Sequence, residues 1–242
     1  MENMWIRIRE NKNYRTKFIW SVVALFVIVV MTLPVCVAAS MSFYKADDFI
    51  ECISDIDRNF WELLLFSLNC SKNAYSNWMG TYFSKFVQAL FHPLNGAGLM
   101  QLRTVMTANA LLFAISLCIF VYTLSKSEIR SSAAGLLLSA CCCAGFFGFQ
   151  TWQEALYWYS GAMCFSLPLS IFFLGLTIVL RLDDYQKKWL IIASGILLFC
   201  GSGGSLAVAG TGCWFLFMIV VAKFLHKNLK KSHIFLFIVA VL

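Results

Sequence analysis

Charge is scarce in this chain. Only 13% of its 242 residues are Asp, Glu, Lys or Arg, against 60% hydrophobic residues and a mean hydropathy of +0.76. Soluble domains carry about 25% charged residues, so this composition excludes a charged coat around a water-soluble core. The alternation of apolar and polar residues that marks barrel strands is also missing. Apolar runs of roughly 18–25 residues take its place, the length a helix needs to cross a bilayer. In hydrocarbon each backbone N–H and C=O needs an internal partner, and helices supply one. No compact basic patch is present, so the net charge of +7 does not imply a nucleic acid partner. The glycine-rich Gly201-Ser202-Gly203-Gly204 is not followed by Lys-Ser/Thr, which excludes a phosphate loop. The run Cys141-Cys142-Cys143 lacks metal-ligand spacing and histidine companions.

What remains predicts an all-α polytopic transmembrane helical bundle. The expected spans lie near residues 18–40, 99–124, 132–149, 161–180, 189–200 and 205–225, with a partial seventh at 234–242. The first apolar run exceeds the roughly 7–15 residues of a signal peptide core. It therefore reads as a retained anchor, with cleavage after Val37-Ala38-Ala39 the lesser alternative. The 189–200 run is short for a crossing, which leaves a re-entrant hairpin open. The apolar stub at 234–242 is expected either to rest on the bundle or to mark a fragment of a longer protein.

Cytoplasmic loops are enriched in Lys and Arg. With the N-terminus inside, 14 of the 19 basic residues fall on the inner side, from Arg7, Arg9, Lys12, Arg15 and Lys17 to Lys223, Lys227, Lys230 and Lys231. Lys45, Arg58, Lys72, Lys85 and Arg103 remain outside. Residues 41–98 then form one large outer loop, far longer than the usual 2–8-residue helix connection. Its stretch from Asp47 to Leu68 places Phe49, Ile53, Ile56, Phe60, Leu63 and Leu64 at helical spacing, predicting a surface helix lying apolar side down. A second amphipathic helix is expected to end near Phe91. Cys52 and Cys70 share this loop and either pair or stay as two thiols; the other eight cysteines read as small apolar residues. Asn69-Cys70-Ser71 has the form of a glycosylation acceptor.

The loop opens with Lys45-Ala46-Asp47-Asp48-Phe49. A carboxylate at a membrane surface can take a proton from an acceptor hydroxyl or hold a divalent cation (Mg or Mn) against a phosphate. The competing reading is that the pair caps a surface helix. Glu154, between two apolar spans, is harder to explain as structure alone. Arg103 offers a fork to phosphate or snorkels at its helix end. Lys85 reads first as part of a solvated face, and His92, before Pro93, as a loop residue. Tyr157, Trp158 and Tyr159 suit either sugar stacking or an interfacial aromatic belt.

Ala46-Asp47-Asp48-Phe49, Trp78-x-Gly80-x-Tyr82-Phe83-Ser84 and Gln153-Glu154-Ala155-Leu156-Tyr157-Trp158-Tyr159-Ser160-Gly161 together resemble the GT-C class of membrane glycosyltransferases. The resemblance is to a bacterial branch related to the O-antigen glucosyltransferases. It implies a polyprenyl-phosphate sugar donor, a glycan or glycolipid acceptor of the cell envelope, and residence in the bacterial inner membrane with a cytoplasmic N-terminus. It further implies that Asp47 or Asp48 serves as base or metal ligand, with Glu154 as a second acid and Arg103, Lys85, Tyr82, Trp158 and His92 around the substrate. The Gly201–Gly204 turn departs from the pattern, lacking the acidic or amide residue found there in the family, and reads as a flexible turn. The alternative of another class is a non-catalytic multi-pass protein, a transporter subunit or flippase-like factor. Such proteins carry charged or broken helices at mid-membrane, whereas polar residues here gather at the outer surface.

Overall fold

The computed structural model describes residues 12–49, 59–77, 80–129, 131–148, 153–182 and 187–241. These residues are 87% helical, with no strand among them. Helix α1, Lys12–Ala39, leads to a 3₁₀ turn at Ala46–Phe49. Two loop helices follow, α2 at Phe60–Asn77 and α3 at Tyr82–Leu90, then a second 3₁₀ turn at Pro93–Asn95. Next come α4, Leu99–Ile129; α5, Ser132–Gly148; α6, Gln153–Tyr157; α7, Tyr159–Cys164; and α8, Ser166–Arg181. The described chain closes with α9, Lys188–Ser202; α10, Leu206–Leu225; and α11, Lys231–Val241.

Among the described residues, four stretches are long and apolar enough to cross a membrane: Tyr14–Ala39, Leu99–Lys126, Tyr159–Arg181 and Leu206–Leu225. The apolar helices α5, α9 and α11 are shorter, at 17, 15 and 11 residues. At a rise of about 1.5 Å per residue, α9 reaches only about 22 Å. The third stretch joins α7 to α8 through Phe165, which breaks the helix. Pro168 follows three residues later, and its ring nitrogen has no proton for the carbonyl of Cys164.

Helices α4 and α8 form the centre of the bundle. Phe172, Phe173, Leu176 and Val179 of α8 are buried against Phe113, Leu117 and Phe120 of α4. The Phe120 and Phe173 rings stack at 5.2 Å with 8° between their planes. Phe172 also lies between two glycines: a Cβ on Gly201 of α9 or Gly212 of α10 would come within 2.8 or 2.6 Å of its side chain. Only hydrogen fits at those positions. Helix α1 packs on α5 and α4, while α11 packs on α9 and α10 with Leu236 and Ala240 buried.

The segment between α1 and α4 differs from expectation in its first helix. Helix α2 begins at Phe60 and runs to Asn77, nine residues past the expected end at Leu68. Asn59 begins it: its Oδ1 accepts from the Glu62 amide at 2.9 Å and its Nδ2 donates to the Glu62 carboxylate. Asp47 and Asp48 belong to the separate 3₁₀ turn. Residues 50–58, including Cys52 of the suggested disulfide, and Trp78 lie outside the described residues. Gly80 takes φ +69°, a left-handed conformation that suits glycine and turns the chain into α3.

Candidate functional site

The two adjacent aspartates have opposite surroundings. Asp47 is exposed, whereas Asp48 is fully buried. One Asp48 oxygen accepts from the Lys45 amide at 2.9 Å, closing its own turn. The other accepts from the amide and hydroxyl of Ser160 at 3.1 and 2.7 Å. A buried carboxylate is tolerated where hydrogen bonds replace its water, and here three donors do so. Asp48 thereby fastens the start of the segment between α1 and α4 to the first turn of α7. The 3₁₀ turn exposes the residue just before it, so Asp47 faces outward from a fixed base.

Around Asp48 the structure gathers side chains from four elements. His92 is 1% exposed; its Nδ1 accepts from the Leu94 amide at 3.3 Å and its ring meets Tyr159 edge-on at 5.4 Å. Burial pushes His92 below its ordinary pKa, and the backbone and charge of Asp48 pull part of the way back. Burial, then the charge of Asp48, raises the Tyr44 hydroxyl. Tyr159 donates to the Gln88 carbonyl at 3.2 Å, and the Gln88 amide donates to the Ser160 carbonyl at 3.1 Å and the Cys164 sulfur at 3.3 Å. Deeper, the Asn109 amide donates to Ser166 Oγ at 2.6 Å, which donates to the Ala155 carbonyl at 2.6 Å. Tyr44 Oη, Gln88 Oε1, His92 Nε2, Asn109 Oδ1 and Trp158 Nε1 are buried without a hydrogen bond of good geometry.

Several candidates take roles other than those expected. His92 is a loop residue, as expected, and its side chain is buried. Lys85, expected on a solvated face, is buried at 8% exposure because α3 sits between α2 and α7. Tyr82 is a clamp: its hydroxyl donates to the Phe199 carbonyl at 2.5 Å and its ring packs on Phe199. Beside it, Ser84 Oγ donates to the Gly204 carbonyl at 2.6 Å, and the Phe83 amide donates to Gly203 at 3.0 Å. The Gly201–Gly204 turn is therefore tightly held. A Cβ on Gly203 would strike the Tyr82 ring, and one on Gly204 would strike Pro168. Trp158 lies beneath Lys45, whose Nζ is 5.9 Å from its ring centroid. Glu154 is exposed in the first turn of α6.

Arg103 is exposed and sits on a groove of about 710 Å³, lined by Ser40, Leu99, Met100, Thr104, Ala108 and Leu111 among others. Its Nε donates to the Ser42 carbonyl at 3.5 Å, a long bond that ties it to the segment leading into Asp47. The groove wall is almost wholly apolar apart from this guanidinium. Among the described residues, no three His, Cys, Asp or Glu side chains gather as a metal site.

Ser160, Gln88 and Tyr44 were absent from the sequence-derived candidates. Gln88 had a signal, an amide three residues after Lys85 on an apolar helix, and Ser160 lies within the Gln153–Gly161 segment. Asn109 also had one, a lone amide inside an apolar span. Compared with protein-family models, curated proteins and solved structures, the chain matches none. Fold and site define a helical protein of a lipid bilayer, with a buried polar cluster around Asp48 where α3, α7 and the two 3₁₀ turns meet.

Proposed function

We propose that this protein is a membrane-embedded transferase acting on a lipid-linked substrate at the outer face. More particularly, it is a glycosyltransferase moving a sugar from a polyprenyl-phosphate donor to an envelope glycan or glycolipid. The observation that carries the reading is the apolar groove topped by Arg103, tied through Ser42 to the segment bearing Asp47. A lipid chain fits the groove, and a guanidinium offers a phosphate two parallel hydrogen bonds.

In the proposed reaction the acceptor hydroxyl gives its proton to the Asp47 carboxylate as its oxygen bonds to the anomeric carbon. The bond from that carbon to the phosphate oxygen breaks, and the phosphate leaves with the electron pair, its charge met by Arg103. Asp48 positions and does not react, since its oxygens are taken up by Lys45 and Ser160. The orientation follows the basic inner segments, with the N-terminus in the cytoplasm of a bacterial inner membrane. In this reading α5 and α9 also cross, in locally thinned bilayer.

Asp47→Asn is expected to abolish sugar transfer in reconstituted vesicles while leaving thermal unfolding unchanged. Asp48→Asn is expected to lower the unfolding temperature. Wild-type transfer by Asp47→Asn would sink the catalytic reading.

A further inference from the structure

Helix α2 has more apolar surface than the protein itself covers. Ser67 and Ala74 are buried, and Leu63 and Leu64 are half-buried on the side that packs against α3. A different stripe points away: Trp61, Leu65, Leu68 and Tyr75, each between 49% and 70% exposed, with Lys72 among them. These positions recur every three, four or seven residues, so they share one face. A second exposed face, about a quarter-turn away, carries Glu62, Asn69, Asn73 and Ser76 and is wholly polar.

Aromatic rings make the apolar stripe continuous with a membrane-facing helix. Tyr75 meets Tyr82 at 5.9 Å, and Tyr82 meets Phe199 at 5.0 Å. Phe199 ends an outward stripe on α9 that includes Ile192 and Ile196, 63% and 58% exposed. One apolar surface therefore bends from α9 over the clamp and along α2.

We propose that α2 is an interfacial membrane anchor. It lies in the leaflet on the side of residues 42–98, with Trp61, Leu65, Leu68 and Tyr75 among the upper acyl chains. Lys72 reaches the lipid phosphates, its stem lying along the apolar stripe and its ammonium in the headgroup layer. The polar face keeps the helix at the surface, so α2 lies along the bilayer and does not cross it. Tyrosines where α9 meets the headgroup layer suit the aromatic belt of membrane proteins. This proposal is independent of the catalytic reading.

The test uses the full chain in phosphatidylcholine–phosphatidylglycerol vesicles. Subtracting the fluorescence of Trp61→Phe from that of wild type isolates the emission of Trp61. That emission is expected to be blue-shifted, to be largely lost when lipids are brominated near the top of their chains, and to survive aqueous acrylamide. A photo-crosslinking phenylalanine analogue in place of Leu65 is expected to give lipid adducts, and in place of Asn69 to give none. Loss of the Trp61 emission to acrylamide instead of bromine would overturn the proposal. So would crosslinks from position 65 to a second copy of the chain, or equal lipid adducts at 65 and 69.

Discussion

Asp47 and Asp48 share one turn, yet three donors hold Asp48 in the interior while Asp47 is exposed, and the proposed reaction gives the reacting part to Asp47. Hydrogen bonds to a charged group contribute about 1.5–3 kcal/mol each, so Ser160→Ala, which removes one, should lower thermal stability measurably. A calorimetric scan of the detergent-solubilised chain checks this, and an unchanged transition would deny Asp48 its anchoring role. His92 adds a pH dependence. Its pKa is lower folded than unfolded, so its contribution to stability is fully present above about pH 6.5 and is lost as pH falls below that value. Protection factors for hydrogen exchange over residues 82–95 should therefore fall between neutral and acidic pH, and His92→Phe should flatten that dependence. The acidic pair was legible in the sequence as a feature. Which member faces out was not, because a 3₁₀ turn leaves no apolar period to assign its faces and Ser160 is 112 residues away.

At the scale of elements, α3 is held by Tyr82 and Ser84 on the turn between α9 and α10. Gly203→Ala, which drives a methyl into the Tyr82 ring, should release this contact. Limited proteolysis should then cut within residues 80–91 faster than in wild type, while the spans stay protected. Tyr82→Phe should do the same more weakly, through loss of one hydrogen bond of about 1 kcal/mol. Sequence marked Tyr82 as notable through its motif, and the resemblance placed it around the substrate, but nothing local indicates a partner carbonyl 117 residues on. Lys85 was misplaced for a related reason. Amphipathic patterning assigns a lysine to water, and only the packing of α2 and α7 on either side of α3 makes that position interior.

For the whole molecule, the helical class and the four long apolar stretches were readable from run length alone, because length against bilayer thickness is a local property. The packing order was not, since the α4–α8 centre depends on which aromatic rings meet. Reporter fusions offer a direct check of the proposed orientation. A tag after Leu182 should be protected in intact cells, and one at Gly96 should be reached from outside. The opposite pattern would invert the assignment and take Asp47 from the outer face. The bond between Ser84 and Gly204 spans 120 residues, and this separation has a consequence for biosynthesis. At roughly 5–20 residues per second, the ribosome needs about 6 to 24 s to make the turn that receives α3. Throughout that interval α3 has no docking partner, because the turn that receives it is not yet made. An apolar surface left waiting that long needs somewhere to rest, and a newborn α2 lying in lipid would hold its neighbour in place until the rest of the chain arrives.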